Sequence, residues 1–224
     1  MTAAAVIPAP LLKDALVAAG DRVRQARDEL CALDASAGDG DLGATLDLGF
    51  AEITAYLQGS PEPQDIGSML RGVGMELARK APSTIGTLLA GAFLRAGKEL
   101  AGCNGLAASD AVRFLQATAT GVAERGHATV GERTVLDSMS AGVDAAAAKA
   151  AAGGDAVAVL RAGADGAQQG AQATASMEPR HGRAGWIKER AQGTRDAGAV
   201  AWAVFLGGLA DGCAALDLGG VDPA

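Results

Sequence analysis

Apolar residues recur at helical spacing from one end of this chain to the other, and that period decides most of what it can become. Leu12, Leu16, Ala19, Val23, Ala26, Leu30 and Leu33 follow one another at intervals of four and three, which places them on one stripe of a helix. Asp14, Asp21, Arg22, Arg24, Arg27 and Asp28 fall largely off that stripe and can stay in water. Leu46, Phe50, Ile53 and Leu57 repeat the pattern. Ile66, Met69, Leu70, Val73 and Leu77 carry a third helix, with Asp65 as N-cap and Pro82 closing it. Further helices are predicted over 84–101, 109–125, 134–151, 155–177 and 198–212. Ser109 and Asp110 open one of them, and Asp155, behind Gly153-Gly154, caps another. Alternating runs rich in Val, Ile, Thr and aromatics are missing, so strands are not expected. The expectation is an all-α domain of about eight helices, its short links favouring antiparallel neighbours in a bundle or ring.

The small residues add a packing constraint. Glycine makes up 32 of 224 residues, about twice the usual share, and a glycine inside a helix costs up to about 1 kcal/mol relative to alanine. Those within 67–74, 91–97 and 207–208 therefore call for close helix contact or ligand approach, with packing the simpler reading. The length fits one domain over residues 1–224. With 49% hydrophobic residues the chain is not of the disordered class, and glycine lacks the collagen period. A formal charge of −7 argues against nucleic acid or an anionic membrane as partner.

Cys31, Cys103 and Cys213 are odd in number and far apart, which suits a reducing compartment better than a disulfide or zinc framework. The N-terminus does not read as a secretory signal. The longest apolar stretch, Ala197 to Ala210, falls short of the roughly 20 residues a spanning helix needs. A cytoplasmic protein is expected.

The strongest chemical signal is Leu33-Asp34-Ala35-Ser36-Ala37-Gly38-Asp39-Gly40-Asp41-Leu42-Gly43, where one amphipathic stripe ends and the next begins. Three carboxylates in a tight, bulk-free turn repel one another unless a cation lies between them. Oxygen ligands without His or Cys suit a hard ion, Mg²⁺ above all where phosphates complete the shell. The helix opened by Gly43-Ala44-Thr45 offers free N–H groups to a phosphate. The alternative is an Asp/Gly-rich loop that merely caps a helix. An EF-hand is excluded because the D-x-D-x-D-G order and closing Glu are absent, and no Walker loop occurs.

Ala81-Pro82-Ser83-Thr84-Ile85-Gly86-Thr87 is a second polar cluster at a helix start, either capping it or lining a phosphate or ribose pocket. Residues 178–198 form the longest irregular stretch and hold Arg180, Arg183, Lys188, Arg190 and Arg195. Arginine there can grip phosphate, or the stretch is a solvated charged loop. His127 and His181 read as solvent-facing, and Trp186 and Trp202 as packing residues. No Ser-His-Asp set or activated cysteine is evident.

Taken in order, these segments resemble the nucleotide-binding L subunit of dihydroxyacetone kinases, which is also the C-terminal domain of the single-chain enzymes. LDASAGDGDLG is similar to that family's LD-x-x-x-GDGDHG, GERTVLDSM to its GDKTM-x-D, and GRAGWIKERAQGTRDAGA to its GRASYLGERSxGxxDPGA. The resemblance covers nearly the whole chain and implies a closed barrel of about eight antiparallel helices with ADP or ATP at one end, held through two Mg²⁺ ions. It implies Asp34, Asp39 and Asp41 as metal ligands, and Leu42, Gly43, Ala44 and Thr45 at the phosphates. Thr84 and Ile85 would lie along the nucleotide, Gly126 and Val135 would close the base side, and Asp196, Ala197 and Gly198 would finish the pocket. Arg183 would contact phosphate and steady charge on the transferred group.

The resemblance also implies an incomplete enzyme. A separate substrate-binding K-type subunit would bring the keto sugar, and either free ATP or a phosphocarrier protein would supply the phosphoryl group. A homodimer stays open. Three departures touch the pocket: Leu42 stands for the family's His, APSTIGT for GGASGP, and DAG for DPG. They widen the substrate from dihydroxyacetone to related small keto sugars such as erythrulose. Two other readings remain, a non-catalytic nucleotide-binding regulator and a helical assembly protein.

Overall fold

The computed structural model describes residues 6–181 and 193–215. Nine α-helices are found among them: α1 (Ala9–Gln25), α2 (Arg27–Ala35), α3 (Leu42–Gly59), α4 (Ile66–Lys80), α5 (Thr84–Glu99), α6 (Ala108–Gly126), α7 (Val135–Ala151), α8 (Ala156–Ala173) and α9 (Ala197–Ala215). A 3₁₀ turn at Thr174–Ser176 follows α8. Two-residue strands, Ile7–Pro8 and Gly105–Leu106, pair antiparallel.

The chain is all-α, as the periodicity predicts. Eight of the helices form a circuit of neighbours: α1 packs on α3, each of α3 to α8 on its successor, α8 on α9, and α9 back on α1. This is the neighbour order a ring requires. α9 also meets α2 and α7, and residues such as Val200, Trp202, Phe205, Leu206 and Leu209 are buried around it. That burial on nearly every face explains its apolar composition. By length and composition α9 would also qualify for a membrane span, a departure from the sequence estimate, but 72% of the qualifying stretch is buried inside the fold.

One expected helix is two. The stripe from Leu12 to Leu33 breaks at Ala26, where φ is −83° and ψ 4°, and α2 restarts at Arg27. No proline or glycine marks the break. Its cause is tertiary: α2 lies over the first turn of α3, where Gly43 is pressed against the Arg27 carbonyl and the Cys31 amide. Asp47 of α3 receives Arg24 Nε at 2.9 Å and Arg27 Nε at 4.0 Å. The helix expected over 155–177 likewise ends at Ala173, and its last turn is 3₁₀.

Several of the mid-helix glycines are packing residues. A Cβ on Gly67 would stand 2.6 Å from the Gly97 carbonyl, and one on Gly97 would stand 2.7 Å from the Gly67 carbonyl, so α4 and α5 touch backbone to backbone. Gly208 lets α9 approach Ala19 of α1 in the same way.

Caps follow the sequence at several ends. Asp65 accepts from the amides of Gly67 (3.1 Å) and Ser68 (2.9 Å), and from Gly102 (2.8 Å) across the link after α5. Burial alone would raise this carboxyl, but the Ser68 hydroxyl and the three amides outweigh it and hold it below its ordinary value. Asp65→Ala should therefore lower stability by about 1–2 kcal/mol in urea titrations at pH 7. The lowered pKa means that this contribution is complete above the unfolded carboxylate range and fades as pH falls through the folded value. The difference between wild type and variant should then shrink on acidification. Ser109 does not open α6 as the sequence suggested; Ala107 is its N-cap, and Asp110 accepts from the Ala107 amide at 3.1 Å.

Candidate functional site

The alternation of the helices gathers the N-termini of α3, α5, α7 and α9 toward one end of the molecule. A Cβ placed on Gly198 of α9 would lie 3.5 Å from Val135 Cβ, the first residue of α7, and 3.7 Å from Ile85 Cδ1 of α5. Ser36, in the loop before α3, places Oγ 3.3 Å from Thr194 Oγ1, just before α9. Helix N-termini carry unpaired amides and the positive end of the macrodipole, so this end favours an anion.

At its rim Asp34, Asp39 and Asp41 each present a carboxylate oxygen, all within 4.8 Å of one another. The loop folds around Asp34, whose Oδ2 accepts from the amides of Gly40 (2.9 Å) and Leu42 (3.3 Å). Gly40 takes φ +79°, and a Cβ on Gly38 would collide with the Asp34 carboxylate, so both glycines are required. Asp34 is half-buried, whereas Asp39 and Asp41 are exposed. Asp41 occupies the N-cap position of α3, yet its side chain makes no capping bond. Helix capping thus accounts for part of the role of Asp34 and none of that of Asp41. An all-oxygen trio at this spacing fits a hard divalent cation.

The other expected residues lie at helix ends. Leu42, Gly43, Ala44 and Thr45 form the first turn of α3, and the identity of Gly43 is fixed by its contact with α2. In the second cluster Ser83 caps α5 by accepting from Gly86 N at 3.0 Å, while Thr84 is exposed and Ile85 half-buried. Gly126 ends α6 beside Leu88, and His127 follows with φ +51°. Ala197 and Gly198 are buried in the first turn of α9. Asp196 caps that helix, accepting from Ala199 N at 2.7 Å, while its own amide donates to Thr174 Oγ1 at 2.8 Å. Burial pushes the Asp196 carboxyl up to about 6 against the pull of the Ala199 amide and Arg133, and nearby Asp137 and Asp34 add to the rise.

Arg183, Lys188, Arg190 and Trp186 lie outside the described residues. The remaining basic residues of that stretch have partners: Arg195 pairs with Glu29 at 3.1 Å, and Arg180 approaches Glu132 at 3.9 Å. His181 is not simply solvent-facing, since its Nε2 lies 2.6 Å from Glu132 Oε2. The Glu132 carboxyl, held first by the Thr129 amide and then by His181, is pushed down to about 2.

Sequence reasoning missed three residues. Asp137 is buried, its two oxygens taking the amides of Gly131 and Thr134 (2.7 Å for the latter), and so it braces the turn into α7. Thr174 secures Asp196. Arg133 is buried beside them. A stretch such as GERTVLDSM shows helix capping but does not show that its arginine points inward.

The family described as the DAK2 domain matches residues 36–211. The chain is 28% identical over 185 residues to the ADP-binding subunit DhaL of the PEP-dependent dihydroxyacetone kinase of Escherichia coli (strain K12), covering 83% of this chain and 88% of the relative. It is 34% identical over 87 residues to the ADP-binding subunit DhaL of PEP-dependent dihydroxyacetone kinase 2 of Listeria innocua, covering 37% of this chain and 39% of that one. In structure it resembles the dihydroxyacetone kinase of C. freundii in its native form, with a TM-score of 0.72 and 24% identity over 94% of this chain. The same enzyme in complex with AMP-PNP and Mg²⁺ gives a TM-score of 0.70. The chain spans 36% of the C. freundii protein, so that likeness speaks to the fold of one part of it.

Proposed function

Because the chain belongs to the DAK2 domain family, we propose that it is the nucleotide-binding subunit of a two-component kinase acting on dihydroxyacetone or a related small keto sugar such as erythrulose. The observation that carries this reading is the carboxylate trio of Asp34, Asp39 and Asp41, set where four helix N-termini converge. ADP or ATP would be its ligand, as the names of the E. coli and L. innocua relatives suggest. Mg²⁺, two ions by resemblance, would be held by the trio, and when bound supplies charge neutralisation and orientation of the phosphates.

The residues of the chain do the rest by positioning. The first turn of α3, from Leu42 to Thr45, meets the phosphate tail, with the Gly43 and Ala44 amides as donors, because Asp34 already takes the Leu42 amide and the Asp41 carbonyl takes that of Thr45. Thr84, Ile85, Gly126 and Val135 border the nucleoside, and the Asp196-Ala197-Gly198 turn closes the pocket. Arg183 is assigned the remaining phosphate contact, where a cation offsets charge on the transferred group. The chain holds no site for a ketose in this reading. A K-type subunit therefore presents the attacking hydroxyl, and the donor is either ATP or a phosphocarrier that recharges bound ADP. A cytoplasmic location goes with that chemistry.

The test combines calorimetry with a coupled assay. Mg-ADP should bind the isolated chain one to one. Phosphorylation of dihydroxyacetone or erythrulose should appear only when a K-type subunit and a donor are both added. Heat without turnover for any ketose and either donor would instead identify a nucleotide-binding regulator. Absence of heat would leave a helical assembly protein.

A further inference from the structure

Arg133 is the one buried cation at this end of the molecule among the described residues, with 5% of its surface exposed. Its backbone sits at φ +59°, a region that side-chain-bearing residues seldom adopt and that here turns the chain inward ahead of α7. Only one of its nitrogens is used: Nη2 donates to the Thr194 carbonyl and to Thr194 Oγ1, both at 2.8 Å. Nε and Nη1 are buried with no partner. Asp196 acts on it through space, and Asp196 Oδ1 is already taken by the Ala199 amide. Thr194 in turn reaches Ser36 in the acidic loop. The guanidinium is thus held by the turn into α9, which Ser36 ties to the acidic loop, with two donors unspent.

A buried guanidinium with unpaired donors is unfavourable unless an oxyanion meets it. The anion this end of the fold is built to receive is a nucleotide's phosphate tail. From this geometry we infer that Arg133 is a phosphate-binding residue of the site, its free Nε and Nη1 donating to phosphate oxygens of the bound Mg-nucleotide. The inference rests on the proposed function, and it adds a second cation, on the inner wall, to the one assigned to Arg183. Arginine is suited to this because it stays charged when buried and offers fixed donors in a plane.

Mg-ADP and Mg-pyrophosphate are titrated into wild type, Arg133→Met and Arg133→Lys, and each protein is melted without ligand. Arg133→Met should bind both ligands roughly 10- to 100-fold more weakly, the loss expected for removing hydrogen bonds from a charged group. Its unliganded melting temperature should fall by a few degrees, because the two hydrogen bonds to Thr194 and the offset to Asp196 are lost, so binding is compared at a temperature where every variant is folded. Arg133→Lys keeps the charge with fewer donors and should fall between the two; it also serves if Arg133→Met does not fold. Wild type that binds Mg-ADP beside variants that bind it equally well overturns the inference alone. A loss for ADP with none for pyrophosphate also overturns it. Wild type that binds neither ligand overturns the reading of the site as well.

Discussion

Asp39→Asn should weaken Mg-ADP binding by roughly 100-fold or more, since partners one shell further out already cost about 10- to 100-fold when lost. The substitution is nearly isosteric and removes one of three charges from an oxygen-only site, where charge count sets affinity. Asp39 is exposed in the loop, outside the helices and the core, so far-ultraviolet circular dichroism should match wild type. Asp39→Asn/Asp41→Asn should show no measurable heat with Mg-ADP at concentrations that saturate wild type. If the single variant binds within threefold of wild type, the carboxylates are not metal ligands and the loop is structural. The exposed Leu48→Ala change on α3 is a control expected to alter neither binding nor melting.

Phe205→Ala should be the most damaging single truncation in the core. Its ring stacks on Phe50 (centroids 5.6 Å apart) and Trp202 (5.4 Å) and meets Phe93 edge-on (5.7 Å), with 3% of its surface exposed. In a chain where small residues fill most helix contacts, this four-ring cluster supplies an unusual share of the buried area. Removing a buried phenylalanine costs about 3–5 kcal/mol, a large part of the roughly 5–15 kcal/mol that holds a domain folded. The midpoint of thermal unfolding should fall by roughly 10 °C or more. Phe205 also lines an apolar crevice with Ile85 and Gly198, two residues of the proposed nucleotide site. A drop of less than about 1 kcal/mol would show that the cluster repacks without it.

The helices were legible because their stripes are regular and their caps are local. Asp65 and Asp155 sit where capping chemistry puts them, and Ser83 caps α5 through its own hydroxyl. The break at Ala26 was not legible, because its cause is the first turn of α3 pressed onto α2, a contact between segments. The glycine pair Gly67 and Gly97 announced close packing without naming the partner helix. At the site, the spacing of Asp34, Asp39 and Asp41 within one loop made the trio visible. Arg133 and Thr174 were not visible, since each owes its role to a chain segment far from it in sequence, and Asp137, though its partners Gly131 and Thr134 are local, read only as a helix-start acid. Charge alone pointed instead to the 178–198 stretch, where Arg180 and Arg195 turn out to pair with acids.

The most direct test of the metal centre is a crystal grown with ADP and Mn²⁺ in place of Mg²⁺. Anomalous scattering should place manganese within coordination distance of carboxylate oxygens from Asp34, Asp39 and Asp41, with the ADP phosphates completing its shell over the first turn of α3. Manganese and ADP found elsewhere, with the three carboxylates facing only water, would contradict the account.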